Sequence, residues 1–242
     1  MRYFTKEWYQ LCGKTSLYCM LEEAKEAELL SEQYFNKLYS KKAKEWIKNN
    51  KKSLKELKKF ETNTESVKPF ETFHDFYLSK IDYVQKMLPE TILSQIADIR
   101  VFALDKASHD VIRLTKEYCD KCRALMEKVC EDYRHYLEEM SATLDEEVVS
   151  NLCFHDCVII DIDQNDKSLT LHFDNSGELT DIDRLVFNDF QIQKIDRPIV
   201  NTWWLYEEIY RREGVYEIHA LLQNEDLDLI DFIVSAESVQ FS

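Results

Sequence analysis

The sequence predicts an α+β protein, with a helical domain over residues 1–150 and an acidic β domain over residues 151–242. The front part reads as an antiparallel helical bundle. The back part reads as an antiparallel β meander, curled into a sheet or half barrel. Three observations carry this. Apolar residues recur at helical spacing up to about residue 150 and alternate after it. Charge divides at the same place: residues 1–150 hold 25 Lys and Arg against 27 Asp and Glu, whereas residues 151–242 hold 6 against 19, a net of −13. Finally, 242 residues that are 45% apolar are ample to bury a core.

The helical elements follow in order. Glu22–Asn49 opens with Glu22, Glu23, Glu26 and Glu28 and closes with lysines, the order that a helix dipole favours. Phe35, Tyr39, Ala43 and Ile47 mark one face, and Leu54 and Leu57 continue the spacing beyond a predicted bend or break at Asn49-Asn50. Residues 61–72, with Pro69, read as a loop, and His74–Met87 as a short helix. Pro89 suits the first turn of the next helix, running to about Leu104. Ser108 caps a long helix with a seam at Val111, Leu114, Tyr118, Cys122, Leu125, Val129, Tyr133, Tyr136 and Met140, the clearest signal in the chain. Such a seam requires covering, hence the bundle.

Beyond Asn151 the period is two. Val158, Ile160 and Ile162, a turn at 164–167, then Leu169, Leu171 and Phe173 make a hairpin with one apolar face. Strands are expected at 183–193, 215–222 and 228–234, with a short one near 238–241. Segment 203–210 reads as a strand rather than a helix, because Gly214 lies where a turn into 215–222 needs it.

Three glycines in the whole chain leave no room for a phosphate-cradling loop or a dinucleotide fingerprint. No segment has the length and apolar character of a signal peptide or a membrane span. Seven cysteines with no export signal argue for reduced thiols in a cytoplasmic protein. A surface as negative as the β region repels nucleic acid and anionic lipid and attracts basic proteins. The front part contrasts with it: between Lys37 and Lys59 lie ten lysines and two glutamates. That stripe is most simply a solvated helix face, although it also offers a surface for self-association with the acidic region.

Candidate chemistry mostly yields to plain structure. Cys119 and Cys122 form a C-x-x-C, but within the helical seam rather than on a turn where thiolates converge, so they read as core thiols. The pairs His74-Asp75, His109-Asp110 and His155-Asp156 match no metal-ligand spacing. With the hairpin turn at 164–167, His172 faces Ile159, and His155 falls about 13 Å further along, too far to share a metal with it. Asp161/Asp163 and Asp181/Asp183 share the solvent face of a strand. No catalytic residue, metal or cofactor is assigned.

The most suggestive segment is Trp203-Trp204-Leu205-Tyr206-Glu207-Glu208-Ile209-Tyr210. Its aromatic residues either pack the sheet or form a partner-binding patch rimmed by acid, with Trp203, Trp204, Tyr206, Glu207 and Glu208 as contacts. As a strand, Glu207 shares a face with Trp203, Leu205 and Ile209, where a carboxylate wants a cation or a hydrogen-bond donor.

The opening Met1-Arg2-Tyr3-Phe4-Thr5-Lys6-Glu7-Trp8-Tyr9 resembles a family of uncharacterised bacterial proteins whose members begin Met-Lys-Tyr-Phe-Thr-Lys-Glu, a domain of unknown function. Leu88-Pro89-Glu90, Asp98-Ile99-Arg100, Trp204-Leu205-Tyr206-Glu207-Glu208-Ile209 and Tyr216-Glu217-Ile218-His219 are similar to it as well. Arg2 stands where the family has lysine. The resemblance implies a cytoplasmic bacterial protein and brings no activity or site residue with it. Taken together, the sequence reads as a non-enzymatic protein-binding chain, immunity-like or inhibitor-like, for a basic partner. The alternatives are a metal-dependent hydrolase using scattered His and Asp residues, and a self-associating structural protein.

Overall fold

The computed structural model describes residues 1–57, 72–176 and 180–242. In chain order its elements are α1 (Lys6–Cys12), β1 (Glu22–Glu23), a 3-10 turn (Lys25–Glu28), α2 (Glu32–Leu57), α3 (Phe73–Met87), α4 (Glu90–Leu93), α5 (Ile99–Phe102), β2 (Lys106–Ala107), α6 (His109–Met140) and α7 (Glu146–Asn151). Six longer strands follow: β3 (Val158–Gln164), β4 (Ser168–Asp174), β5 (Arg184–Ile195), β6 (Thr202–Arg212), β7 (Val215–Gln223) and β8 (Leu229–Phe241). The protein is α+β, helical in front and β behind. Two compact units divide it: Leu11–Leu125, and Met1–Gln10 together with Met126–Ser242. The helical unit is thus inserted after the first ten residues of the barrel unit, and α6 runs through the boundary. The change of charge near residue 150 and this boundary are different lines.

Within the helical unit, α2 and α3 share an aromatic core. Tyr39 meets Phe73 and Tyr77 at 5.0 and 5.2 Å between ring centroids, and Trp46 lies over Phe76. Val84, Leu88, Ile92, Phe102 and Val111 form a second core. Asp98 is buried and caps α5 through the Arg100 N–H. It also chelates the Arg100 guanidinium, which lies 4.5 Å from the centre of the Phe35 ring and reaches Glu32 at 2.6 Å. A charge can be buried there because it has a bidentate partner.

The helix expected over Glu22–Asn49 begins only at Glu32, where the Ser31 hydroxyl accepts from the Tyr34 N–H. Of the acids before it, Glu22 and Glu23 extend and pair in parallel with Lys106 and Ala107, and Glu26 and Glu28 lie in the 3-10 turn. Neither does α2 break at Asn49-Asn50; it continues to Leu57. The stretch from Pro89 to Leu104 makes two single turns rather than one helix, because Asp98 starts the second with its own cap. The expected loop at 61–72 lies, except for Thr72, outside the described residues, as does the end of the lysine stripe. Helix α6 begins after Ser108, whose hydroxyl accepts from Val111. Its seam is not continuous. Val111 and Cys122 are buried in the helical unit and Met140 packs against the barrel core, but Leu125 at the boundary is 57% exposed.

The six long strands close completely, in the order β3-β4-β5-β8-β7-β6, every pairing antiparallel. The expected half barrel is therefore a full one, made of two three-stranded meanders joined at β5–β8 and β3–β6. Closure removes the exposed edges that a half barrel would leave. The strands expected at 228–234 and 238–241 are one, β8, paired with β7 over Leu229–Ala236 and with β5 over Phe232–Phe241. The interior is filled by Ile159, Leu171, Phe187, Trp204, Ile218, Phe232 and their neighbours, with Leu137 and Met140 of α6 packed against it. Glu213 and Gly214, both at positive φ, turn β6 into β7.

Candidate functional site

Strand β6 carries the chemistry, and a bulge decides what it does. Trp204 pairs with Leu222 and Tyr206 with Leu221, so Leu205 is an extra residue and the strand changes face across it. Trp204, Glu207 and Ile209 consequently point into the barrel, while Tyr206, Glu208 and Tyr210 point out. Glu207 does share a face with Ile209, as alternation predicts, but its aromatic companion is Trp204 rather than Trp203. The donor that this carboxylate needs is the Trp204 indole N–H, 2.7 Å from Oε2. Burial pushes the Glu207 carboxyl up to about 7, and the indole hydrogen bond offsets only part of that.

Glu208, with no exposed surface at all, is held by the opening residues of the chain. Its Oε1 accepts from the backbone N–H of Tyr3 at 2.7 Å and of Phe4 at 2.6 Å, and its Oε2 from that of Arg2 at 2.8 Å. The Tyr210 hydroxyl donates to Oε2 at 2.6 Å. Four donors from three consecutive backbone groups and one phenol fill the acceptor sites of a carboxylate. Burial, and then that hydrogen bond to Glu208, hold the Tyr210 hydroxyl far above the usual phenol range. His219 meets Tyr210 at 5.0 Å between ring centres, tilted by 55°, with its Nε2 2.7 Å from Glu217 and its Nδ1 4.0 Å from Glu208. Burial lowers its proton affinity.

A collar of rings seals this contact. Tyr3 meets Tyr133 at 5.2 Å, and Phe4 meets Trp8, Tyr133 and Tyr206 at 4.8, 5.0 and 5.5 Å. The Trp8 indole donates to the Met126 carbonyl, and Lys6 bridges Asp196 at 2.8 Å and Asp231 at 3.7 Å. The opening segment therefore straps the outer face of the barrel. Composition and periodicity miss this strap. The signal that could have found it is the opening aromatic run and the Trp-Leu-Tyr-Glu-Glu-Ile run standing together in the family resemblance.

Of the five residues proposed from sequence as partner contacts, Trp204 and Glu208 are buried and have no surface to offer. Trp203 is partly exposed opposite Val158, and Tyr206 is half-buried among Phe4, Trp8, Tyr9 and His155. Glu207 points inward. Beside Trp203 on β3, Ile160 is 50% exposed, and Asp161 and Asp163 are exposed after it. Among the described residues, no lysine or arginine pairs with Asp161, Asp163, Asp166 or Asp174.

The remaining candidates are dispersed. Cys119 and Cys122 are buried in α6, where burial pushes the Cys119 thiol up, against the thiolate that metal binding needs. A bulge at Ile160 shifts the β3–β4 register, so His172 pairs with Asp161, not Ile159, and bonds Asp163 at 2.9 Å. His74 bonds Tyr39, His109 bonds Glu23, and His155 pairs with its neighbour Asp156. Among the described residues, no three His, Cys, Asp or Glu side chains gather to hold a metal, and no helix is long and apolar enough to cross a membrane.

A family model described as a protein of unknown function, DUF4085, matches residues 3–230. It takes in both the strap and the β6 motif. No curated protein and no solved structure matches the chain.

Proposed function

This chain belongs to the DUF4085 family, and for it we propose a non-enzymatic role: the acidic barrel binds a basic protein partner, in the manner of an inhibitor or immunity protein. The observation that carries the reading is the β3–β4 hairpin, where exposed Asp161, Asp163, Asp166 and Asp174 stand without a lysine or arginine partner among the described residues. Beside them lie the partly exposed Trp203 and the exposed Ile160. Apolar anchors beside unneutralised charge suit a partner that supplies both a flat apolar contact and lysine or arginine. In the helical unit, by contrast, Lys42 and Lys80 meet Asp105, and Arg113 and Lys116 meet acids one turn on.

Affinity capture with the full chain tests this. The proteins retained are expected to be basic and to elute as salt shortens the screening length from about 8 to about 3 Å. Asp161→Lys with Asp163→Lys is expected to lose them. Retention of proteins with no basic bias, indifferent to salt and to the charge reversal, would defeat the reading.

A further inference from the structure

We propose that the far end of β3, over residues 160–164, takes an extended basic segment of the partner protein as an added strand. The proposal rests on the reading of the acidic barrel as a surface for a basic protein, and supplies the mode of recognition.

Strand β3 runs past the strand that closes the barrel on it. Up to Ile159 its edge is occupied. The Asp156 N–H donates to the Trp204 carbonyl at 2.8 Å, the Trp204 N–H to the Cys157 carbonyl at 2.9 Å, and the Asn201 N–H to the Ile159 carbonyl at 2.7 Å. Strand β6 begins at Thr202, opposite Ile159, and has no residue to set against β3 beyond that point. On its other side β3 stays paired with β4 as far as Gln164, which faces Leu169.

The direction of the backbone groups over that stretch follows from β4. The Phe173 N–H donates to the Asp183 carbonyl and the Asp189 N–H to the Lys167 carbonyl, so the odd-numbered residues here turn their backbone groups toward β5. Leu169 and Leu171 belong to that set. Gln164 and Ile162, opposite them, therefore turn theirs away from β4, to the open side. With no strand there, the Ile162 N–H donates to the carboxylate of its own neighbour, Asp161 Oδ1, at 2.8 Å. Among the described residues, no backbone group pairs with the Ile162 carbonyl or with the N–H and carbonyl of Gln164.

Side chains along this edge select the strand that fits. Asp161 and Asp163 are exposed, with His172 2.9 Å from one oxygen of Asp163, and Ile162 between them packs against the barrel core. An added strand sets every second side chain beside the two aspartates, where Lys or Arg is favoured, and the alternate ones beside Ile162, where apolar residues are. The same edge of a second copy is refused, because it brings aspartates against aspartates. Binding hands the Ile162 N–H to the incoming strand and leaves Asp161 free for a cation.

Amide exchange of the full chain, read by proton–nitrogen NMR, tests this with an acetylated and amidated peptide alternating Lys and Val. The control is the same peptide N-methylated at every internal residue, which keeps charge and side chains but cannot pair as a strand. The first peptide is expected to slow exchange of the Ile162 and Gln164 amides by about tenfold or more. The methylated one is expected to bind more weakly by at least about tenfold. Gln164→Pro removes an edge N–H, keeps every aspartate, and is expected to abolish binding of the alternating peptide. Should that variant fail to fold, the two peptides on the unmodified chain decide. Equal binding of the two, or binding without protection at Ile162 and Gln164, would overturn the added strand and leave recognition by charge alone. Binding of neither peptide overturns it as well, whereas the reading of the acidic barrel stands or falls on the capture experiment.

Discussion

The Tyr3 backbone N–H donates to Glu208 Oε1 at 2.7 Å, across 205 positions of sequence. With the neighbouring N–H groups of Arg2 and Phe4 it makes a backbone cradle for a charge on the outer wall of the barrel. A buried carboxylate without donors is costly, and so are three buried N–H groups without an acceptor, so each side solves the other's problem. The strap is therefore part of the barrel's fold, although 115 residues of another unit separate it from the remainder.

Replacing Glu208 with Gln keeps the shape, but removes the charge and turns an amide N–H toward backbone donors. The expected loss is about 3–5 kcal/mol of unfolding free energy, read from the urea midpoint at unchanged slope. A loss below about 1 kcal/mol would show that the strap does not depend on this charge.

Tyr210→Phe removes one of the four donors and leaves the backbone cradle in place. Its expected cost is about 1–2 kcal/mol, smaller than that of Glu208→Gln. In the Glu208→Gln background it is expected to cost much less, since the two share one network; full additivity in a double-mutant cycle would contradict that coupling.

The buried His219 imidazole holds its proton less readily in the folded protein than in the unfolded chain. The unfolded state thus binds more protons in the window just below the ordinary histidine value of about 6.5. Stability is expected to rise with pH through that window, to be complete above it, and to be lost again on acidification. His219→Gln is expected to remove this slope from a series of denaturation curves; an unchanged slope would place the titration elsewhere.

The aspartates of the β3–β4 hairpin are exposed and, among the described residues, have no lysine or arginine partner. Asp161→Asn with Asp166→Asn is expected to stabilise the fold by a few tenths of a kcal/mol at low salt and to have no effect at high salt. Combined with weaker capture of basic proteins, that outcome would identify the hairpin as a place where stability is given up for recognition. Destabilisation instead would mean that these side chains support the hairpin.

Thiol accessibility separates the cysteines. Cys19 and Cys153 are exposed and are expected to be alkylated first. Cys130 is exposed but its thiol is pushed up by burial of the sulfur, so it follows. Cys119, Cys122 and Cys157 are buried and are expected to react only on unfolding, as peptide mass mapping would record. Early labelling of Cys119 and Cys122 would contradict their place in the core.

Much of the fold was legible because patterning is local. The seam from Val111 specified α6, alternation from Val158 to Phe173 specified the β3–β4 hairpin, and Gly214 marked the turn that makes 202–212 a strand. What the pattern could not reveal were breaks in periodicity made by single residues. The bulges at Ile160 and Leu205 each change which side chains share a face, and no composition rule marks them. The acids before Glu32 look like a helix start, yet Glu22 and Glu23 pair with Lys106 and Ala107, a contact 84 residues away. The candidate site was legible as a cluster of types and not as an arrangement, since Trp204, Glu207 and Glu208 look alike in sequence and lie in different environments.

By itself, then, the sequence determined the kinds of element, their order, and the sorting of negative charge into the last 92 residues, because hydrophobic period and charge are properties of short stretches. Only the tertiary structure decided that the sheet closes, that the opening residues cap a carboxylate two hundred positions away, and that two adjacent glutamates face opposite sides of one wall. Those outcomes depend on strand register and long-range backbone hydrogen bonds, which form between segments whose sequences carry no mark of each other.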